Sequence, residues 1–140
     1  MNEKSKQYIL NWIKKAEHDI MNARIIIEHY SSMNDAPFDT ACFHCQQAVE
    51  KYLKAALLYF NIPIQKSHNL GSLVYLCIEK NPNFEAIMEK AETLTPFAVE
   101  IRYPDDFYLP TQTEAEEALA TAIEIKNFIL SYFPEEWELK

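Results

Sequence analysis

The chain has 140 residues, 49% of them hydrophobic and 24% charged, which predicts one domain over residues 1–140 and excludes a disordered chain. Its one glycine, Gly71, excludes glycine-rich phosphate loops and dinucleotide fingerprints, and disfavours sandwiches and barrels built on many tight turns. The net charge of −8 argues against a nucleic-acid binder of the basic-patch kind, although residues 1–66 carry 8 Lys+Arg against 7 Asp+Glu and residues 67–140 carry 5 against 14.

Taken in chain order, the apolar residues first fall at helical spacing. Ile9, Ile13, Ala16, Ile20, Ala23, Ile27 and Tyr30 form one stripe, which the turn formers from Ser31 to Pro37 end. Consecutive Ile25, Ile26 and Ile27 cannot all face one narrow stripe, and Tyr8 and Trp12 sit beside it. Either the buried face is broad, or a second apolar surface meets a partner subunit.

A second helix is predicted from about Phe38 to Phe60, with Cys42, Cys45, Val49, Tyr52, Ala56 and Phe60 as its stripe. A loop through Ser67-His68-Asn69 leads to a third helix from Leu70 to Glu79. Asn83 is a candidate cap for a fourth helix running from about Phe84 to Leu94. Thr95-Pro96 reads as a restart, with Thr as cap, continuing to about Arg102. The two prolines between Tyr103 and Pro110 predict a loop. Thr113-Glu114-Ala115-Glu116 matches a capping box for the last helix, whose stripe is Ala115, Ala118, Ala122, Ile125, Ile129 and Tyr132. The expected fold is all-α, an antiparallel up-down bundle of four to five helices.

The three cysteines, an odd count without a secretory signal, predict reduced thiols and a cytoplasmic location. No apolar run is long enough to span a bilayer. Cys42-Phe43-His44-Cys45 lacks the second ligand pair that a structural zinc needs, so no metal and no cofactor are expected. His44, Gln47, Lys51 and Lys54 lie along one polar face of the second helix, and Gln46, Glu50 and Lys54 form a neighbouring row. An ordinary helix would leave this face solvated, with a Glu50–Lys54 pair. A ligand site requires a second element to converge on it. Arg102, at a helix end before Tyr103-Pro104, either stabilises that end or holds a phosphate bidentately. Tyr103 and Tyr108 beside it either stack on a base or pack back on the bundle. His68 is a cap neighbour or a pocket histidine.

Together these segments resemble the HEPN domain family. The matching pieces are residues 12–19, residues 43–55, Ser67-His68-Asn69-Leu70 and Ile101-Arg102-Tyr103-Pro104, spread over about residues 8–133. The resemblance implies a helical bundle that commonly forms a homodimer. It also implies a minimal nucleotidyltransferase as partner, some such pairs behaving as toxin and antitoxin. Many members are metal-independent ribonucleases whose signature is an Arg and a His separated by four to six residues. Here Arg102 matches the arginine, but positions 107–109 are Phe, Tyr and Leu, and no histidine follows His68. Without that imidazole the proton-transfer group is missing. The expectation is therefore a module that binds nucleotide or RNA phosphate through Arg102, Tyr103, Gln47, Lys51, Lys54 and Tyr108. The alternatives are a ribonuclease using Arg102 with a displaced His44 or His68, and a purely structural interaction bundle.

Overall fold

A computed structural model of the chain describes residues 1–64, 66–98 and 108–139. Its regular elements among these residues are all helices: α1 (Glu3–His29), α2 (Phe38–Tyr59), α3 (Leu70–Lys80), α4 (Met88–Glu92) and α5 (Gln112–Leu130), with short 3-10 turns at Pro82–Ile87, Thr95–Phe97 and Glu135–Trp137. Helices α1, α3 and α5 each start where a side chain can satisfy free backbone N–H groups. Asn2 accepts from Ser5 N at 2.8 Å for α1, and Asn69 accepts from Ser72 N at 3.0 Å for α3. α2 ends at Asn61, which takes φ 62°, a left-handed conformation that asparagine tolerates. There Ile62 N donates to Leu57 O at 2.8 Å and Asn61 N to Leu58 O at 3.0 Å, the paired bonds of a Schellman stop in a glycine-poor chain.

α2 is the centre of the bundle and packs on α1, α5 and α3. The predicted stripes supply the core: Ile9, Ile13, Ala16, Ile20, Ala23 and Ile27 of α1, Cys42, Cys45, Val49, Tyr52 and Ala56 of α2, and Ala115, Ala118, Ala122, Ile125 and Ile129 of α5 are all buried, while the aromatic residues that end the stripes, Tyr30, Phe60 and Tyr132, are only partly buried. The small residues of α5 let it approach α2 closely. Glu17 joins three helices, accepting from Tyr52 Oη of α2 at 2.6 Å and Lys126 Nζ of α5 at 2.8 Å. Burial, and then the Glu17 carboxylate, push the Tyr52 phenol well above its ordinary range.

Three local expectations shift. The fourth helical segment begins at Pro82, not Phe84, because proline fits a first helical position; its cap is Asn81, whose side chain accepts from Asn83 N at 3.0 Å. The segment is 3-10 up to Ile87 and α-helical only from Met88. The capping box of α5 is Thr111 with Glu114, each side chain bonding the other's backbone N–H at 3.1 Å, two residues before the Thr113–Glu116 match. Thr95 makes no side-chain cap bond; its hydroxyl is buried without a hydrogen-bond partner among the described residues. The expected continuation to Arg102 and the loop from Tyr103 lie outside the described residues, except for Tyr108 onward.

Candidate functional site

Being central, α2 buries even its polar row. Gln46, Glu50 and Lys54 are 0%, 4% and 7% exposed, so the face that the spacing left in solvent is covered. The loop before α3 meets Gln46 and Glu50, and Trp12 of α1 lies over Lys54, so the buried polar groups are paired. Glu50 Oε1 accepts from His68 Nδ1 at 2.9 Å and Gln46 Nε2 at 3.2 Å, while Oε2 accepts from Lys54 Nζ at 2.9 Å. Gln46 Nε2 also donates to the His68 carbonyl at 3.2 Å, which fixes the loop at both backbone and ring. Gln47 Nε2 donates to Gln46 Oε1 at 2.8 Å. Lys54 Nζ further lies 5.6 Å from the centre of the Trp12 ring.

A second carboxylate organises the adjoining row. Asp19 of α1 is buried; its Oδ1 bonds His44 Nδ1 at 2.8 Å and its Oδ2 accepts from Lys51 Nζ at 2.5 Å. The predicted pieces therefore come together as two clusters side by side, His44 and Lys51 on Asp19, and His68 and Lys54 on Glu50. The Glu50–Lys54 pair is the one the i, i+4 spacing predicts, whereas the contact of Glu50 with His68 and both contacts of Asp19 do not follow from spacing. Asp19 lies in a mixed stretch of its helix beside Glu17 and His18, and its one signal in the sequence is that it falls within residues 12–19, a piece that carries the family resemblance.

Burial pushes the Glu50 carboxyl upward, but hydrogen bonds from Lys54 and His68, the Lys54 charge and the Gln46 amide outweigh it and hold the group below its ordinary value. An ionised carboxylate only accepts, so His68 donates from Nδ1. The His68 side chain is 69% exposed, which places Nε2 toward solvent, whereas that of His44 is 22% exposed. An open hollow of about 700 Å³ is lined by Ser67 and Asn69, the chain neighbours of His68, with Ser72, Tyr75, Met88 and Glu92; His68 itself does not line it.

Of the remaining candidates, Tyr108 is half exposed and its hydroxyl donates to Glu114 at the start of α5. This bond raises the phenol and lowers the carboxyl relative to their ordinary values. Arg102 and Tyr103 lie outside the described residues. The cysteines are buried and unpaired, and burial pushes the thiols of Cys42 and Cys77 up to about 12. Among the described residues no group of three or more His, Cys, Asp or Glu is placed to hold a metal ion, and no helix is long and apolar enough to cross a membrane.

Comparison with known proteins places this geometry. The sequence model of the HEPN domain family matches residues 9–133. Among solved structures, the archaeal HEPN homologue ST0689 is 29% identical, with a TM-score of 0.68 over 88% of this chain and 95% of its own. TT1696 from Thermus thermophilus is 26% identical, with a TM-score of 0.71 over 89% of this chain and 98% of its own. No curated protein sequence matches the chain. The helical bundle and the family match together define the class: the chain belongs to the HEPN domain family.

Proposed function

We propose that the chain is a single-domain HEPN module, cytoplasmic and homodimeric, that binds a nucleotide or RNA phosphate and acts with a minimal nucleotidyltransferase, in the manner of a toxin–antitoxin pair. The observation that carries the ligand half is the convergence of α2 and the loop before α3 on one polar strip, with Gln47, Lys51 and His44 from the helix and His68 from the loop. Lys51 and Lys54 are each matched by a carboxylate, so the strip positions a ligand without a large excess of positive charge. Arg102 supplies the guanidinium that grips the phosphate, with Tyr103 and Tyr108 as stacking surfaces. Lys54, buried under Glu50 and Trp12, serves to hold Glu50.

Family membership supports the nucleotidyltransferase partnership. The dimer is supported by Met21 and Ile25, 55% and 60% exposed and one helical turn apart on α1. Three buried, free thiols support a reducing compartment. The test is calorimetric titration of wild type and Arg102→Ala with AMP and with a short single-stranded RNA, beside sizing of the protein alone. Binding that weakens by about tenfold or more in Arg102→Ala is expected. No heat with either ligand would favour the structural bundle instead.

A second reading, a metal-independent ribonuclease, is favoured by one observation: His68 is held on a buried carboxylate through Nδ1 with Nε2 outward, the orientation a proton-transfer imidazole needs. Incubating RNA in EDTA with wild type, Arg102→Ala, His44→Ala and His68→Ala separates the readings. Cleavage abolished by Arg102→Ala and His68→Ala would establish it; cleavage equal in all four, or absent from wild type, would remove it.

A further inference from the structure

We propose that the groove between the start of α1 and the end of α2 is a docking site for an acidic amphipathic helix of a partner protein. Tyr8, Asn11, Trp12 and Lys15 of α1 form one wall, and Leu58 and Ile64 form the other, enclosing about 450 Å³. Tyr8, Trp12 and Lys15 recur at the four- and three-residue steps of one helix flank, so their side chains follow each other over about two turns, roughly 10 Å. That is the reach of two or three anchors on a partner helix. Tyr8 is 52% exposed although it lies beside core residue Ile9, and Trp12 is only partly buried. Large amphipathic aromatics of this kind are the residues that dominate binding where they are covered.

The charge around the groove selects the occupant. Lys15 lines it, and Lys4 lies 5.9 Å from the centre of the Tyr8 ring. Neither makes an ion pair among the described residues, so both charges are available to a ligand. No Asp or Glu lines the groove among the described residues. An apolar channel with an unmatched cationic rim, on a chain of net charge −8, complements apolar anchors flanked by carboxylates. None of the groove residues is among Arg102, Lys51 or His68, and among the described residues the two regions meet only where the centre of the Trp12 ring lies 5.6 Å from Lys54 Nζ, so the test variants are placed at Tyr8 and Lys15, away from that contact.

The test uses the full chain, ¹⁵N-labelled, and three synthetic peptides: a helix with Leu at positions i, i+3, i+4 and i+7 flanked by Glu, its Lys-flanked counterpart, and a scrambled acidic sequence of identical composition. The acidic helix is expected to shift the amides of Tyr8–Lys15, Leu58 and Ile64, and to bind about tenfold more tightly than either control. Lys15→Glu, at an exposed position, reverses the preference between acidic and basic helices. Tyr8→Ser, also exposed, weakens both without loss of fold. Equal binding of the three peptides, absence of binding, or shifts confined to another face would overturn the proposal. So would self-association of the unliganded protein that Tyr8→Ser or Lys15→Glu abolishes, since the groove would then be the seam between copies.

Discussion

Glu50 and His68, 18 residues apart, meet with Nδ1 2.9 Å from Oε1, and this contact ties the loop before α3 to the central helix. The carboxylate beneath the ring is buried and shared with Lys54, so the contact is part of a charge network rather than a surface pairing. Removing Lys54 takes away the lysine charge paired with buried Glu50 and leaves only the hydrogen bonds from His68 and Gln46. Lys54→Ala is expected to lower stability by about 3–5 kcal/mol, measured by urea unfolding, because it strands the Glu50 charge. Replacing Glu50 and Lys54 together by Leu and Met is expected to recover most of that loss.

The pH dependence of this cluster has a defined sign. Glu50 is held below its ordinary value of 4.5 in the folded chain, so the unfolded chain takes up the proton first as the solution is acidified. Its stabilising contribution is complete above the unfolded value and is lost as pH falls through the folded one. Unfolding free energies of wild type and Glu50→Gln, measured from about pH 6 down to pH 3, should converge toward the acid end. A constant difference across that range would place the effect of Glu50 elsewhere.

The cysteines give a third expectation. All three thiols are buried, and burial raises each of them, Cys45 furthest. Reaction with a thiol reagent at pH 8 should therefore be negligible in the native protein and reach all three groups in denaturant. Rapid native labelling of one cysteine would show that its helix opens locally.

At the start of α5 two overlapping capping motifs compete, and the structure uses the earlier. Thr111→Ala is expected to cost about 1 kcal/mol, while Thr113→Ala, which lies inside the helix, should cost a few tenths of that. Thermal unfolding of the two variants decides between the registers.

The helices were legible because their apolar residues repeat at the helical period, and burial follows that period from Ile9 to Ile27 and from Ala115 to Ile129. The exact starts were less so: Thr111 and Thr113 both offer a hydroxyl three residues before a glutamate, and spacing alone cannot rank them. The candidate site was legible only as a list of side chains. Gln46, Glu50 and Lys54 look like a solvated row because local sequence carries no record of which helix is central. Gln46 and Glu50 meet a loop whose His68 arrives from 18 residues away, and Lys54 meets Trp12 of another helix. Asp19 was hidden for the same reason, since its partners His44 and Lys51 belong to another helix.

Only two arginines occur in the chain, Arg24 and Arg102, so the side-chain Nε–Hε resonance of Arg102 can be assigned with the single variant Arg24→Lys. Titrating ¹⁵N-labelled protein with a short single-stranded RNA and following that resonance tests the phosphate-binding role most directly. A saturable shift of the Arg102 signal, accompanied by shifts at Gln47 and Lys51, is the expected result. Saturating RNA that leaves the Arg102 signal unmoved, or moves only residues remote from α2, would contradict it.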